Sequence, residues 1–308
     1  MLHLRVISPA ARTHEVRAVL AECPGATNVV VFPGVAVTPE GDLVQADLAR
    51  ESANEVIGKL SWLHGEGSIA LEQIDLALSK VAEEAVEDAP GDPDDAVVWE
   101  QLAQRVSAES RITWAFLAFL TIATLLAGIG VVLNSIVLLV GAMVLGPEFG
   151  AVAAICFGLL RGRWLLVVGA LRTLVVGFVI AVAVTFACAL AASWLGWIGP
   201  AHLQVNEEMQ FIVKPDRWSF IVAMLAGVAG VLSITGGKSS ALIGVFISVT
   251  TVPAAGYVGV ALALREWAEV AGSVAQLALN IAGMLVAGTA TLAVQRRFWP
   301  QVGRGSSV

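Results

Sequence analysis

From Ile112 to Leu160 the chain runs for 49 residues with a single charged side chain, Glu148. A helix needs roughly 20 apolar residues to cross a hydrocarbon layer, so this run is long enough for two crossings. The acid lies in Gly141-Ala-Met-Val-Leu-Gly-Pro-Glu-Phe-Gly150, directly after a Gly-Pro pair. Proline removes a helical hydrogen bond, and a carboxylate at that depth is costly to bury. The expectation is a broken helix beside a buried acid, and with it a site inside the membrane.

The remaining composition points the same way. Hydrophobic residues make up 57% of the 308 positions and charged residues 14%. The charge is divided unevenly. Residues 1–111 hold 8 Lys/Arg against 19 Asp/Glu, whereas residues 112–308 hold 10 against 6. An acidic soluble head joined to an apolar body is implied, and neither part has the basic surface that nucleic-acid binding requires. Cys23, Cys156 and Cys188 make no disulfide framework, and the four histidines are scattered, so no metal or other cofactor is expected. There is no nucleophile elbow, P-loop or paired His–carboxylate motif, so an enzyme is not expected.

In the head, short apolar alternations at Leu2–Ile7, Asn28–Phe32, Asp42–Ala49 and Ser68–Ile74 read as strands. Helical spacing over Ala10–Glu22 and Ser52–Leu63 falls between them. The order β-α-β-β-α-β predicts a ferredoxin-like α+β domain over residues 1–80, serving as a scaffold or as a regulatory ligand-binding unit. Residues 81–111 follow as a linker and interfacial segment. Glu83–Asp95 holds seven acids and no base, which reads as a solvated linker, and Val97–Arg111 reads as an amphipathic helix on the membrane surface.

The transmembrane domain is expected over 112–297, with a tail at 298–308. Six spans fit the hydropathy: Ile112–Val132, Ser135–Leu160, Trp164–Trp197, Trp218–Ile234, Ser239–Leu264 and Ala271–Val294. Arg105, Arg111, Arg161, Arg163, Lys238, Arg296, Arg297 and Arg304 would share one side. By the positive-inside rule that side is cytoplasmic, which places both termini inside a cell (inner) membrane. The absence of a long apolar N-terminal signal segment agrees with a cytoplasmic head.

The body also shows an internal likeness at an offset of 103 residues. Gly141 falls on Gly244, Leu159 on Leu262 and Trp164 on Trp267. Three spans is an odd number, so a second copy must be inverted, giving a 3+3 inverted repeat with broken helices in spans two and five. The second break is expected at Val249-Thr-Thr-Val-Pro-Ala-Ala-Gly256. Candidate substrate- or ion-binding residues are Gly146, Pro147 and Glu148 at the first break, Thr250, Thr251 and Pro253 at the second, Asn280 in span six, and Arg172 in span three. Arg172 could instead snorkel to headgroups, and the threonines could merely cap freed backbone. Glu148 could be a structural carboxylate.

The Gly141–Gly150 stretch, together with Gly244-Val-Phe-Ile-Ser-Val-Thr-Thr-Val-Pro253 and Asn280-Ile-Ala-Gly, resembles domain-of-unknown-function family 389. Its members are bacterial and archaeal hydrophobic integral-membrane proteins, and the resemblance spans roughly residues 110–295. The family often has Pro-Leu where this chain has Pro147-Glu148, and a double proline where it has Pro253-Ala254. The resemblance therefore supports the fold and lends Glu148 no role. A secondary transporter or channel-like permease for a small solute or ion is the function expected. A membrane-anchored ligand sensor or assembly protein is the alternative. The expected partners are the lipid bilayer, that solute or ion, and further copies of the chain, since small-residue-rich spans suit a homo-oligomer.

Overall fold

The computed structural model describes residues 1–74, 79–89, 96–203, 217–236 and 251–298. Thr250, the Gly244 register point and the C-terminal tail from residue 299 lie outside the described residues. Two compact units are present: residues 1–102 with the described residues from Gln295, and Ala103–Val294.

In the first unit, β1 (Leu2–Ser8), α1 (Thr13–Ala21), β2 (Ala26–Val37), β3 (Glu40–Leu48), α2 (Ala53–Lys59) and β4 (Ser68–Gln73) follow in that order. The strands form one sheet in the order β2-β3-β1-β4, and every neighbouring pair is antiparallel. Alternate residues of β1 and β3 point to one face. There Leu4, Val6, Val44, Ala46 and Leu48 meet Val16 and Leu20 of α1 and Val56 and Leu60 of the α2 segment. The hydroxyl of Thr13 donates to Asp42 at 2.7 Å and the Gly34 amide donates to it at 2.8 Å, tying the β2–β3 hairpin to α1. These two bonds hold the Asp42 carboxyl below the usual carboxylate range.

The first part of the acidic stretch is helical. Lys80–Asp88 forms helix α3, whose first turn is capped by Ser79 accepting from the Ala82 amide. The segment before the next helix docks on the head. Asn54 donates to the Val97 carbonyl at 2.7 Å and accepts from the Trp99 amide at 3.1 Å. Val98 joins Leu2, Ala53 and Ile57, and Trp99 is fully buried. The amphipathic helix itself, α4, spans Trp99–Glu109.

In the second unit, α5 (Trp114–Val132) starts with Thr113 accepting from the Phe116 amide and ends at Asn134 in the left-handed region. Ser135 caps α6 (Ile136–Leu145). Residues 146–148 break the helix, and α7 (Phe149–Arg161) continues at 52° to α6. Gly162 ends α7 at φ 67°, and the Arg163 amide reaches back to the Gly158 carbonyl. There follow α8 (Trp164–Trp194), α9 (Arg217–Gly236), α10 (Val252–Leu264) and α11 (Trp267–Phe298).

Among the described residues, four helices, α5, α8, α9 and α11, are long and apolar enough to cross a membrane, or five if the bent pair α6–α7 counts as one span. The sequence reading put a span at 239–264. The described part of it is α10, 13 apolar residues, and residues 239–250 lie outside the described residues. The third span ends three residues sooner than expected, at Trp194. At about 1.5 Å per residue its 31 residues still exceed a core of about 30 Å, so it fits a tilted crossing.

Burial separates the helices into two kinds. The long ones carry an exposed apolar side, such as Leu165, Val168, Leu171, Val175 and Val179 of α8. By contrast α7 from Gly150 to Gly158 and α10 from Val252 to Ala261 are buried all round. A helix apolar on every side belongs in a core. The close fit of α10 on α5 needs Gly256: a methyl there would lie 2.7 Å from Ala127 Cβ, 2.7 Å from the Gly128 nitrogen and 2.9 Å from the Thr124 carbonyl oxygen. Two of those atoms are backbone and cannot rotate away. Gly256→Val should therefore destabilise the protein by about 1–3 kcal/mol or more, read as a lower melting temperature in detergent. Gly272→Val, where no atom lies within 4 Å, is the matched control and should melt as wild type.

Candidate functional site

The two buried helices begin at the two positions the sequence singled out. Glu148 immediately precedes α7 and Thr251 immediately precedes α10, both with right-handed helical backbone angles. Glu148 is 1% exposed and Thr251 is fully buried. The Thr251 hydroxyl donates to Glu148 Oε1 at 2.6 Å. So the acid before α7 and the hydroxyl before α10 form one polar junction inside an apolar unit.

Pro147 lies two residues before α7, and Pro253 occupies the first turn of α10. Neither position needs an N–H for a helical bond. Gly146 closes α6 with extended angles, φ −66° and ψ 118°, which turns the chain at the break.

A cavity of about 430 Å³ reaches this break, with Gly146, Pro147, Phe149 and Gly150 in its wall. Ser233 of α9 faces it, and Arg105 and Glu109 line another side, paired at 3.0 Å. Its size is that of a small-ligand site. Glu148 does not line the cavity and lies between residues that do.

Asn280, fully buried on α11, belongs to a polar face that includes Ser273 and Gln276, also fully buried. The spacing of three and four residues puts all three on one side of the helix. Both amide atoms of Gln276 are buried without a hydrogen-bond partner among the described residues. Sequence reasoning found Asn280 and missed the other two, although their spacing in an apolar helix was the available signal. It also missed Tyr257, whose hydroxyl donates to the Leu203 carbonyl and to Glu269, both at 3.2 Å.

Arg172 is not part of this junction. It is exposed on α8 and lines a separate groove with Arg111 and Thr173. Thr250 lies outside the described residues. Among the described residues no three His, Cys, Asp or Glu side chains cluster so as to hold a metal ion.

Comparison with known proteins agrees on the family. The family described as Domain of unknown function (DUF389) matches residues 143–286, a segment running from α6 into α11 that contains both Glu148 and Thr251. An uncharacterized protein of Methanocaldococcus jannaschii is similar, 21% identical over 226 residues that cover 73% of this chain and 67% of the relative. No solved structure matches the chain. Residues 143–286, which hold Glu148 and Thr251, thus match the DUF389 family.

Proposed function

We propose that this protein is a secondary transporter or channel-like permease for a small solute or ion, formed from two inverted copies of three spans. The observation that carries the reading is the Glu148–Thr251 hydrogen bond, because its partners are 103 residues apart. That separation is the offset of the internal likeness. Equivalent residues of two copies touch each other only where a two-fold axis passes between them.

Other regularities support the same offset. Helix α7, Phe149–Arg161, becomes Val252–Leu264, which is α10. Helices α5 and α8, starting at Trp114 and Trp164, become Arg217 and Trp267, the starts of α9 and α11. The left-handed cap Gly162 at φ 67° becomes Arg265 at φ 63°. Contacts between the halves also exchange. A methyl on Gly259 would lie 2.7 Å from Thr185 Cγ2, and one on Gly288 would lie 3.0 Å from Cys156 Sγ. Cys156 and Thr185 are the equivalents of Gly259 and Gly288, so these are one contact with the copies swapped. With three spans per copy, such an axis lies in the membrane plane, and broken helices meeting on it make a recurrent transporter plan.

On this reading the chain makes six crossings, α6–α7 and the 239–264 segment being the two broken ones. Both termini face the cytoplasm of a cell membrane. Solute enters by the cavity at the first break and meets Glu148, Thr251 and the α11 polar face. No covalent chemistry is needed.

The head is read as a ferredoxin-like domain that regulates or assembles the protein. One feature favours an assembly role: the sheet-edge strand β2 exposes Phe32, Val35 and Val37, an apolar edge suited to a second copy. A membrane-anchored sensor or assembly protein is accordingly the second reading. Sealed proteoliposomes separate the two. Protein-dependent uptake from a panel of small solutes and ions, with and without a pH gradient, is expected. Uptake equal to that of empty liposomes across the panel, with a ligand bound by the full chain, would favour the second reading instead.

A further inference from the structure

The groove that holds Arg172 has no part in the transport reading, and it has a chemistry of its own. Its volume is about 420 Å³, and Arg111, Arg172, Ser107, Ser110 and Thr173 supply its polar lining. No Asp or Glu lines it, and neither arginine forms an ion pair among the described residues. Arg172 lies eight residues beyond Trp164, the start of α8, or about 12 Å along the helix at 1.5 Å per residue. It shares its helix with the exposed apolar row of Leu165, Val168, Leu171 and Val175. A cation on a lipid-facing surface at that depth needs an anion brought to it.

The groove is also held in place. The Thr173 hydroxyl donates to the Ser110 carbonyl at 2.7 Å, fastening the turn before α5 to α8. That turn carries Arg111, two residues before the Thr113 cap of α5, at the boundary of the apolar layer. Ile112 and Leu165, both exposed, continue the groove as apolar surface. Two arginines and an apolar rim in one groove match a phosphate group carried on acyl chains.

We propose that Arg111 and Arg172 bind the phosphate of an anionic phospholipid, in the leaflet on the side where α8 begins. Charge complementarity selects a phosphodiester headgroup without a compensating ammonium, and the apolar rim selects a lipid over a free anion.

The test is native mass spectrometry of the full chain in micelles with equal phosphatidylglycerol and phosphatidylcholine of matched acyl chains. Wild type should retain phosphatidylglycerol over phosphatidylcholine by roughly tenfold, the effect of about 1.4 kcal/mol, because the choline ammonium repels the two arginines and the glycerol headgroup carries no such charge. The double variant Arg111→Gln/Arg172→Gln should bring the two lipids to parity. Arg163→Gln, at the same helix start and outside the groove, should leave the preference intact. Should the double variant fail to purify, each single variant should reduce the preference severalfold. No preference in wild type would overturn the proposal. So would an equal loss in Arg163→Gln, which would mean general surface charge. In phosphatidylcholine nanodiscs, inorganic phosphate at millimolar concentration should show no saturable binding that depends on the two arginines. Saturable binding there would assign the groove to free phosphate and overturn the lipid.

Discussion

Glu148→Gln should fold and insert as wild type and lose coupled transport. The amide keeps the shape of the carboxylate and can still accept from Thr251, whose hydroxyl now approaches Glu148 at 2.6 Å. It cannot exchange a proton or balance a cation. Without a group that takes and releases a proton or balances a cation, proton- or cation-dependent flux should fall roughly ten- to hundredfold, the effect of about 1.4–2.7 kcal/mol. Any residual flux should be indifferent to the pH gradient. Detergent melting and size-exclusion behaviour should be close to wild type, because the amide keeps the shape of the carboxylate and the bond from Thr251. Full flux with wild-type pH and cation dependence would reduce Glu148 to a structural residue.

Gln276→Leu should do something a structural substitution seldom does: stabilise the protein while impairing it. Gln276 is fully buried on α11, and neither amide atom has a hydrogen-bond partner among the described residues. An unsatisfied buried amide costs about 1–3 kcal/mol, and a leucine of similar size removes that cost. The melting temperature in detergent should therefore rise. Flux should fall at least about tenfold if the amide is retained to bind solute, the effect of about 1.4 kcal/mol. Higher stability with unchanged flux would remove the Ser273–Gln276–Asn280 face from the path.

How much of this was legible depends on the range of the signal. The strand–helix order of the head could be read because each element announces itself within a few residues, as Leu2–Ile7 does by alternation. Helix α3 was hidden by its acids: its cap, Ser79, and its buried Ala82 and Ala85 were overshadowed by Glu83, Glu84, Glu87 and Asp88. The docking of Val97–Trp99 rests on Asn54, more than 40 residues away, and no local pattern records such a bond.

In the body, the break at Gly146-Pro147 and the acid beside it were plain, since both are rare in an apolar run. The link from Glu148 to Thr251 was not. The prolines are out of register by three in the offset of 103, which drew attention away from the residues that are in register. Helix starts and caps supply the better alignment, because proline is tolerated anywhere in the first turn, while a left-handed cap such as Gly162 or Arg265 is fixed to one residue. Arg172 was grouped with the site by depth alone, and depth says nothing about which face of α8 it occupies.

Two inverted copies of three spans must place equivalent residues on opposite sides of the membrane. Arg163 and Glu266, 103 residues apart, immediately precede α8 and α11 and are at least partly exposed. Each would be changed singly to cysteine in a functional variant lacking Cys23, Cys156 and Cys188, then treated in right-side-out and inside-out vesicles with an impermeant thiol reagent. Arg163→Cys should label from the cytoplasmic side and Glu266→Cys from the opposite side. Labelling of both from the same side would contradict the inverted repeat and the transport path built on it.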